Sequence, residues 1–121
     1  MPEPVIICLH QPALELAEKV ASLCDGEVHG LQSRVNTIPE TFEKTKEHLQ
    51  DLFQKGHPLV GICSSGILIR SLADVLSDKH TEPPVLAVAE DGSCVIPLLG
   101  GHHGANDLAR KIASGLGSVA A

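Results

Sequence analysis

Apolar residues fall along this chain in two alternating rhythms, short unbroken runs and stripes at helical spacing. Val5-Ile-Ile-Cys-Leu9 is a β-branched run ended by His10-Gln11-Pro12, which predicts a buried strand. Pro12 suits a first helical turn, and Leu14, Ala17, Val20, Ala21 and Cys24 follow at helical spacing until Asp25-Gly26. Residues 27–30 predict a weak second strand and residues 31–38 a loop. A second helix is predicted from about Thr41, with Phe42, Thr45, Leu49, Leu52 and Phe53 on one face and mixed charges on the other. Leu59-Val-Gly-Ile-Cys63 predicts another buried strand, and Ser64-Ser65-Gly66 a turn into a helix bearing Leu68, Leu72, Val75 and Leu76.

Val85-Leu-Ala-Val-Ala89 and Ser93-Cys-Val-Ile-Pro97 flank Glu90-Asp91-Gly92, and an Asp-Gly pair between apolar runs predicts a two-residue hairpin turn at 91–92. Leu98-Leu99-Gly100-Gly101-His102-His103-Gly104 leads into a last helix with Ala105, Leu108, Ala109, Ile112, Ala113 and Leu116, ended by Gly115 and Gly117. This order predicts an α/β fold, a three-layer sandwich around a mostly parallel sheet with one antiparallel hairpin strand. Residues 1–121 read as a single α/β domain. The apolar segment beginning after Gly117 predicts one more strand, so an N-terminal fragment of a longer polypeptide is expected.

Composition narrows the function. The net charge of −6 argues against a polyphosphate partner, and two phenylalanines with no tyrosine or tryptophan argue against stacking single-stranded bases, so no nucleic acid is expected. No apolar run approaches the roughly 20 residues that cross a bilayer. The N-terminus lacks a basic region, so a cytoplasmic location without membrane attachment is expected. The four cysteines, Cys8, Cys24, Cys63 and Cys94, contain no C-x-x-C pair and read as reduced, buried side chains.

Two loops could carry chemistry. Ser64, Ser65 and Gly66 form a small-residue turn from a strand's carboxyl end into a helix, where free N–H groups and the helix dipole favour carboxylates or phosphates. The serines could equally serve as a helix cap. Arg70 lies within reach of that site and could grip a carboxylate in two hydrogen bonds, or simply pair with Asp74 on the helix surface. The second loop is Gly101, His102, His103 and Gly104 with Asn106 after it. It is either a functional loop offering an acid/base pair or a glycine-rich turn with incidental histidines; Asn106 most simply caps the last helix. Adjacent histidines diverge and no third ligand has a recognisable spacing, so no metal is expected. Asp91 suits a turn, and His10, His29, His48, His57 and His80 are scattered without an assigned role.

Several of these segments recur in order in a known family. Gly66-Ile-Leu-Ile-Arg70, Lys79, residues 83–88, Gly92 and Pro97-Leu-Leu-Gly-Gly-His-His-Gly-Ala-Asn-Asp-Leu-Ala109 together resemble the N-terminal domain of the cobalamin biosynthesis protein CbiG. The family pattern is a G-I-x-x-R stretch, a Lys before an acidic-Pro-x-Val strand, and L-L-S-G-H-x-G-G-A-N-x-L-A. The likeness covers about residues 59–114. The chain departs from it in losing one glycine around His102 and His103, and in reading Glu82-Pro83-Pro84-Val85.

The resemblance implies a domain of a cobalamin biosynthetic enzyme acting at corrin ring contraction, as in cobalt-precorrin-5A hydrolases, which open a ring lactone and release acetaldehyde. The alternative is a non-catalytic docking or substrate-presenting domain fused to precorrin-3B C17-methyltransferase. Its implied partners are a tetrapyrrole substrate and the remaining domains of the polypeptide. No cofactor is expected in this domain, S-adenosylmethionine only in a fused methyltransferase. Ser64, Ser65, Gly66, Arg70, Gly101 and Asn106 would then bind substrate carboxylates, and His102 or His103 would be the general base. With two phenylalanines, the ring could be touched only at its rim, and the negative charge makes recognition local and salt-tolerant. If the strands before and after the helix at 65–76 are parallel, the hairpin sends the two loops to opposite ends of the sheet unless residues 98–104 fold back.

Overall fold

The computed structural model describes residues 2–121. In chain order the elements are β1 (Val5–Cys8), α1 (Leu14–Cys24), β2 (Glu27–Leu31), β3 (Thr41–Phe42), α2 (Thr45–Gln54), β4 (Leu59–Ile62), α3 (Ser65–Leu72), β5 (Val85–Val88), β6 (Cys94–Leu99), α4 (Ala105–Leu116) and β7 (Val119–Ala120). They form one seven-stranded sheet in the order β3-β2-β1-β4-β5-β6-β7. Every pairing is parallel except β5 with β6. This is the open α/β sandwich expected from the alternation of runs and stripes.

The unbroken apolar runs are explained by burial on both faces. Side chains alternate across a strand, so Ile6 and Cys8 of β1 pack with Leu14, Ala17 and Val20 of α1 and with Ala109 and Ile112 of α4. Val5 and Ile7 face the other way, against Leu49, Leu52 and Phe53 of α2 and Leu68 and Leu72 of α3. All four residues of β1, of β4 and of β5 are buried. Such strands have no polar face to reveal their period.

Four local expectations are corrected. The second helix starts at Thr45, not near Thr41; the backbone of Gly30 and Gln32 donates to the carbonyls of Glu40 and Phe42, which draws residues 41–42 into an edge strand. The hairpin has a five-residue connection, residues 89–93. Gly92 N–H closes a turn on the Ala89 carbonyl at 2.8 Å with Gly92 at φ +76°, and Asp91 Oδ1 accepts from Ser93 N–H at 3.0 Å. Glu90 and Asp91, not Asp91 and Gly92, are therefore the central turn residues. Asn106 is not a cap: Gly104, left-handed at φ +92°, precedes α4, and Asn106 lies exposed in its first turn. Gly115 lies within α4, where a Cβ would meet Leu23 of α1 at 2.3 Å, and Gly117 alone ends the helix. The strand expected after Gly117 is β7, parallel to β6.

Candidate functional site at the carboxyl ends of the strands

Chain connectivity creates a crevice before any side chain is considered. From β1 the chain crosses through α1 to β2 on one side; from β4 it crosses through α3 to β5 on the other. The loops leaving β1 and β4 therefore diverge at a topological switch point, where open α/β sheets place their ligands. A cleft of about 310 Å³ lies there, lined by Leu9, His10, Leu31, Arg34, Cys63, Ile67 and Glu90. These residues come from the carboxyl ends of β1, β2, β4 and β5 and from the first turn of α3.

His10, separated from the end of β1 by Leu9 alone, holds an extended backbone before the helical turn at Gln11–Ala13. Its Nε2 is 3.1 Å from Glu90 Oε2, at the far side of the crevice. Cys63 is 5% exposed, and burial, with the Glu90 charge added, pushes its thiol up to about 11. A neutral thiol at ordinary pH is a packing group rather than a nucleophile.

The turn at residues 64–66 sits on the rim of the same cleft, between Cys63 and Ile67. Ser64 occupies the N-cap position of α3, yet its hydroxyl makes no capping hydrogen bond. Its carbonyl accepts from Ile67 N–H at 3.2 Å, which leaves the N–H groups of Ser65 and Gly66, ahead of that bond, without an acceptor in the helix. Arg70 does not pair with Asp74, which bonds Lys46 of α2 at 2.8 Å. Instead its guanidinium folds back over the helix start: a Cβ on Gly66 would lie 3.3 Å from Arg70 Nη1. Among the described residues neither Arg34 nor Arg70 forms an ion pair. One end of an acidic chain thus carries two free guanidinium groups, helix N–H groups, two serine hydroxyls and an imidazole beside a carboxylate. That combination suits a carboxylate ligand and proton transfer next to it.

The loop holding His102 and His103 is elsewhere. Leu99, the last residue of β6, pairs with Val85, the first of β5, so the loop lies at the amino ends of the parallel strands. The four residues of β5, about 10 Å of strand, separate it from the cleft. Residues 98–104 do not fold back, so the two loops lie at opposite ends of the sheet. Gly101, His102, His103 and Asn106 are exposed there. His103 Nε2 meets the His80 carbonyl, and the His102 ring lies 4.6 Å from the His80 ring. His103 also borders a second cavity of about 330 Å³ with Pro4, Pro58, Pro84 and Leu108.

His10, Arg34 and Glu90 were not legible as site residues. Their one signal is position: His10 and Glu90 each directly follow or nearly follow an apolar run, at the end where α/β sheets bind ligands. His29 and His48, equally scattered in the sequence, also meet, with His29 Nδ1 2.8 Å from His48 Nε2.

Comparison with known proteins places this geometry in a lineage. Residues 47–121 match the family model described as cobalamin synthesis G N-terminal. That stretch includes Ser64, Ser65, Gly66, Arg70, Glu90 and the loop with His102 and His103, and leaves out His10 and Arg34. A cobalt-precorrin-5A hydrolase of Priestia megaterium is 41% identical over 69 residues, covering 56% of this chain and 18% of that protein. The Salmonella typhimurium cobalt-precorrin-5A hydrolase is 44% identical over 61 residues, 50% of this chain and 17% of that one. The chain thus spans less than a fifth of the curated relatives it matches. A crystal structure of a cobalamin biosynthesis protein G homolog from Sulfolobus solfataricus superposes with a TM-score of 0.71 at 23% identity, over 98% of this chain and 36% of the other, which supports the fold. With more than half its length matched by the family model, the chain belongs to the CbiG N-terminal family of cobalamin synthesis.

Proposed function

We propose that this chain serves the lactone-opening step of corrin ring contraction, as a cobalt-precorrin-5A hydrolase-type domain, and that the switch-point cleft holds the carboxylate rim of the corrinoid. The reading rests on one observation: the family match includes the turn at residues 64–66 and Arg70, beside a cleft lined by Arg34, Cys63 and Ile67, and among the described residues neither arginine forms an ion pair. A corrin precursor presents carboxylates around its edge, and planar guanidinium groups bind carboxylates in paired hydrogen bonds. The hydrolase names of the curated relatives favour this reading over a docking domain for a methyltransferase. Four free cysteines suit a reducing cytoplasm.

In this reading Arg34, Arg70 and the α3 N–H groups fix the substrate by its side chains. The His10 imidazole accepts a proton from the water that attacks the lactone carbonyl, and the Glu90 carboxylate 3.1 Å away stabilises the resulting imidazolium. Cleavage of the acyl C–O bond then leaves a carboxylate on the ring and an alcohol on the leaving side, from which the two-carbon fragment departs. His102 and His103 take no part, because they sit at the opposite end of the sheet.

The test is an anaerobic titration of the chain with cobalt-precorrin-5A, followed by the corrinoid absorbance. Arg34→Ala and Arg70→Ala are each expected to weaken binding by about tenfold, the loss of a charge-assisted hydrogen bond. Absence of binding, or affinities unchanged in both variants, would overturn the assignment.

A further inference from the structure

On the flank of the sheet away from the cleft, the edge strands gather a second set of polar side chains. Glu27 and His29 are two residues apart on β2 and so share a face. Their register partners in β1 are Val5 and Ile7, which places both on the α2 side. Glu40 immediately precedes β3, and its carbonyl accepts from Gly30 N–H at 3.0 Å, so it lies beside His29. One ligand atom from each of Glu27, His29 and Glu40 lies within 4.8 Å of the others. His29 Nε2 and Glu27 Oε1 are already 3.1 Å apart. Two donors bound to one first-row ion at about 2.0–2.2 Å sit roughly 2.9–3.4 Å apart, so this pair needs no rearrangement. Glu40 is exposed and free to close the remaining distance.

The far side of His29 is also organised. Its Nδ1 is 2.8 Å from His48 Nε2, and the His48 ring stacks on Phe42 at 4.5 Å with a 9° tilt. A metal-binding imidazole ordinarily gives its other N–H to an acceptor that fixes its tautomer. His48 fits that part by position: its Nε2 faces His29 Nδ1, and the stacking on Phe42 fixes the plane of its ring.

We infer that Glu27, His29 and Glu40 form a binding site for a divalent first-row cation such as zinc, with His29 Nε2 as the nitrogen ligand and His48 as the positioning residue behind it. One imidazole and two carboxylates are a mixed N/O donor set that such ions accept, water completing the shell. The inference does not rest on the proposed corrinoid function: the site lies outside residues 47–121 except for His48.

Titration of the metal-free chain with Co²⁺, read by its visible absorption and then displaced by Zn²⁺, tests it. One equivalent is expected to bind, and His29→Ala to weaken binding at least tenfold. Glu40→Gln, at an exposed position that folding does not need, is expected to weaken it several-fold. His48→Gln is expected to cost about tenfold as an outer-shell change. In the native chain Zn²⁺ should shift the His29 ring nitrogens to the pattern of a metallated Nε2 with a protonated Nδ1. No binding, binding unchanged in both His29→Ala and Glu40→Gln, or binding lost instead on replacing His102 and His103, overturns the site.

Discussion

The two ends of the sheet are made from similar material, small residues and histidines between a strand and a helix, and they come out differently. At the carboxyl ends the turn at residues 64–66 has little conformational work to do. Ser64 is extended, Gly66 is helical, and neither serine hydroxyl is needed to cap α3. Its polar groups are left over, and the divergence of β1 and β4 opens a cleft beside them. At the amino ends the glycine-rich loop has a conformational task. Gly100 is left-handed at φ +82° and so close to residues 83 and 84 that a Cβ would lie 2.5 Å from the Pro83 carbonyl oxygen and the Pro84 backbone. Gly104 is left-handed at φ +92° to start α4. Glycine content by itself therefore separates these loops poorly. What separates them is whether the backbone already explains the residue.

The sharpest way to break this contrast is to add a methyl group at each glycine and measure urea stability. Gly100→Ala meets both a left-handed backbone and immovable backbone atoms, and is expected to cost roughly 2–5 kcal/mol. Gly104→Ala meets open space but the same backbone strain, about 1–2 kcal/mol. Gly101→Ala has nothing within 4 Å and no positive φ, and should stay within about 0.5 kcal/mol. Gly66→Ala lies in a helix and meets only the mobile tip of Arg70, so stability should hold or rise by up to about 1 kcal/mol. A large loss at Gly66, or none at Gly100, would reverse the division between a binding turn and a structural one.

Ligand binding sharpens the same contrast. Replacing His102 and His103 together by alanine should leave corrinoid affinity within about twofold, since surface changes far from a ligand rarely matter more. The Gly66→Ala variant, stable as it is, should bind several-fold less tightly because its methyl group displaces Arg70 from the helix start. A tenfold loss from the histidine pair would move the substrate to the opposite end of the sheet.

How far this was legible follows from what strand order does. The buried strands β1, β4 and β5 are legible as unbroken apolar runs, and the faces of α1 and α4 as stripes at helical spacing. β3 is not, because two residues carry no period and Phe42 continues the stripe of the helix after it. The turn at residues 64–66 was found because its residue types are special in themselves. His10, Arg34 and Glu90 are not special alone. They become neighbours only once β1 lies beside β4 with β2 and β5 flanking them, an order that no local pattern specifies. The separation of the two loops could be inferred, since it needs only the parity of strand directions.

Cys63 offers the finest test of the proposed corrinoid cleft, because it separates a binding role from a nucleophilic one. It lines the cleft beside Glu90, where a thiolate could in principle open a lactone by acyl transfer. Burial and the nearby carboxylate push its pKa up to about 11, so at pH 8 only about one thiol in a thousand is ionised. Maleimide should therefore label Cys94, the half-exposed one, well before Cys63 in the native chain. Cys63→Ala should keep corrinoid affinity within about twofold, since it removes a packing group and no charge. Rapid labelling of Cys63 at pH 8 that corrinoid suppresses would mean that the thiolate is stabilised by something the cleft supplies only when occupied, and would turn the binding rim into a nucleophilic site.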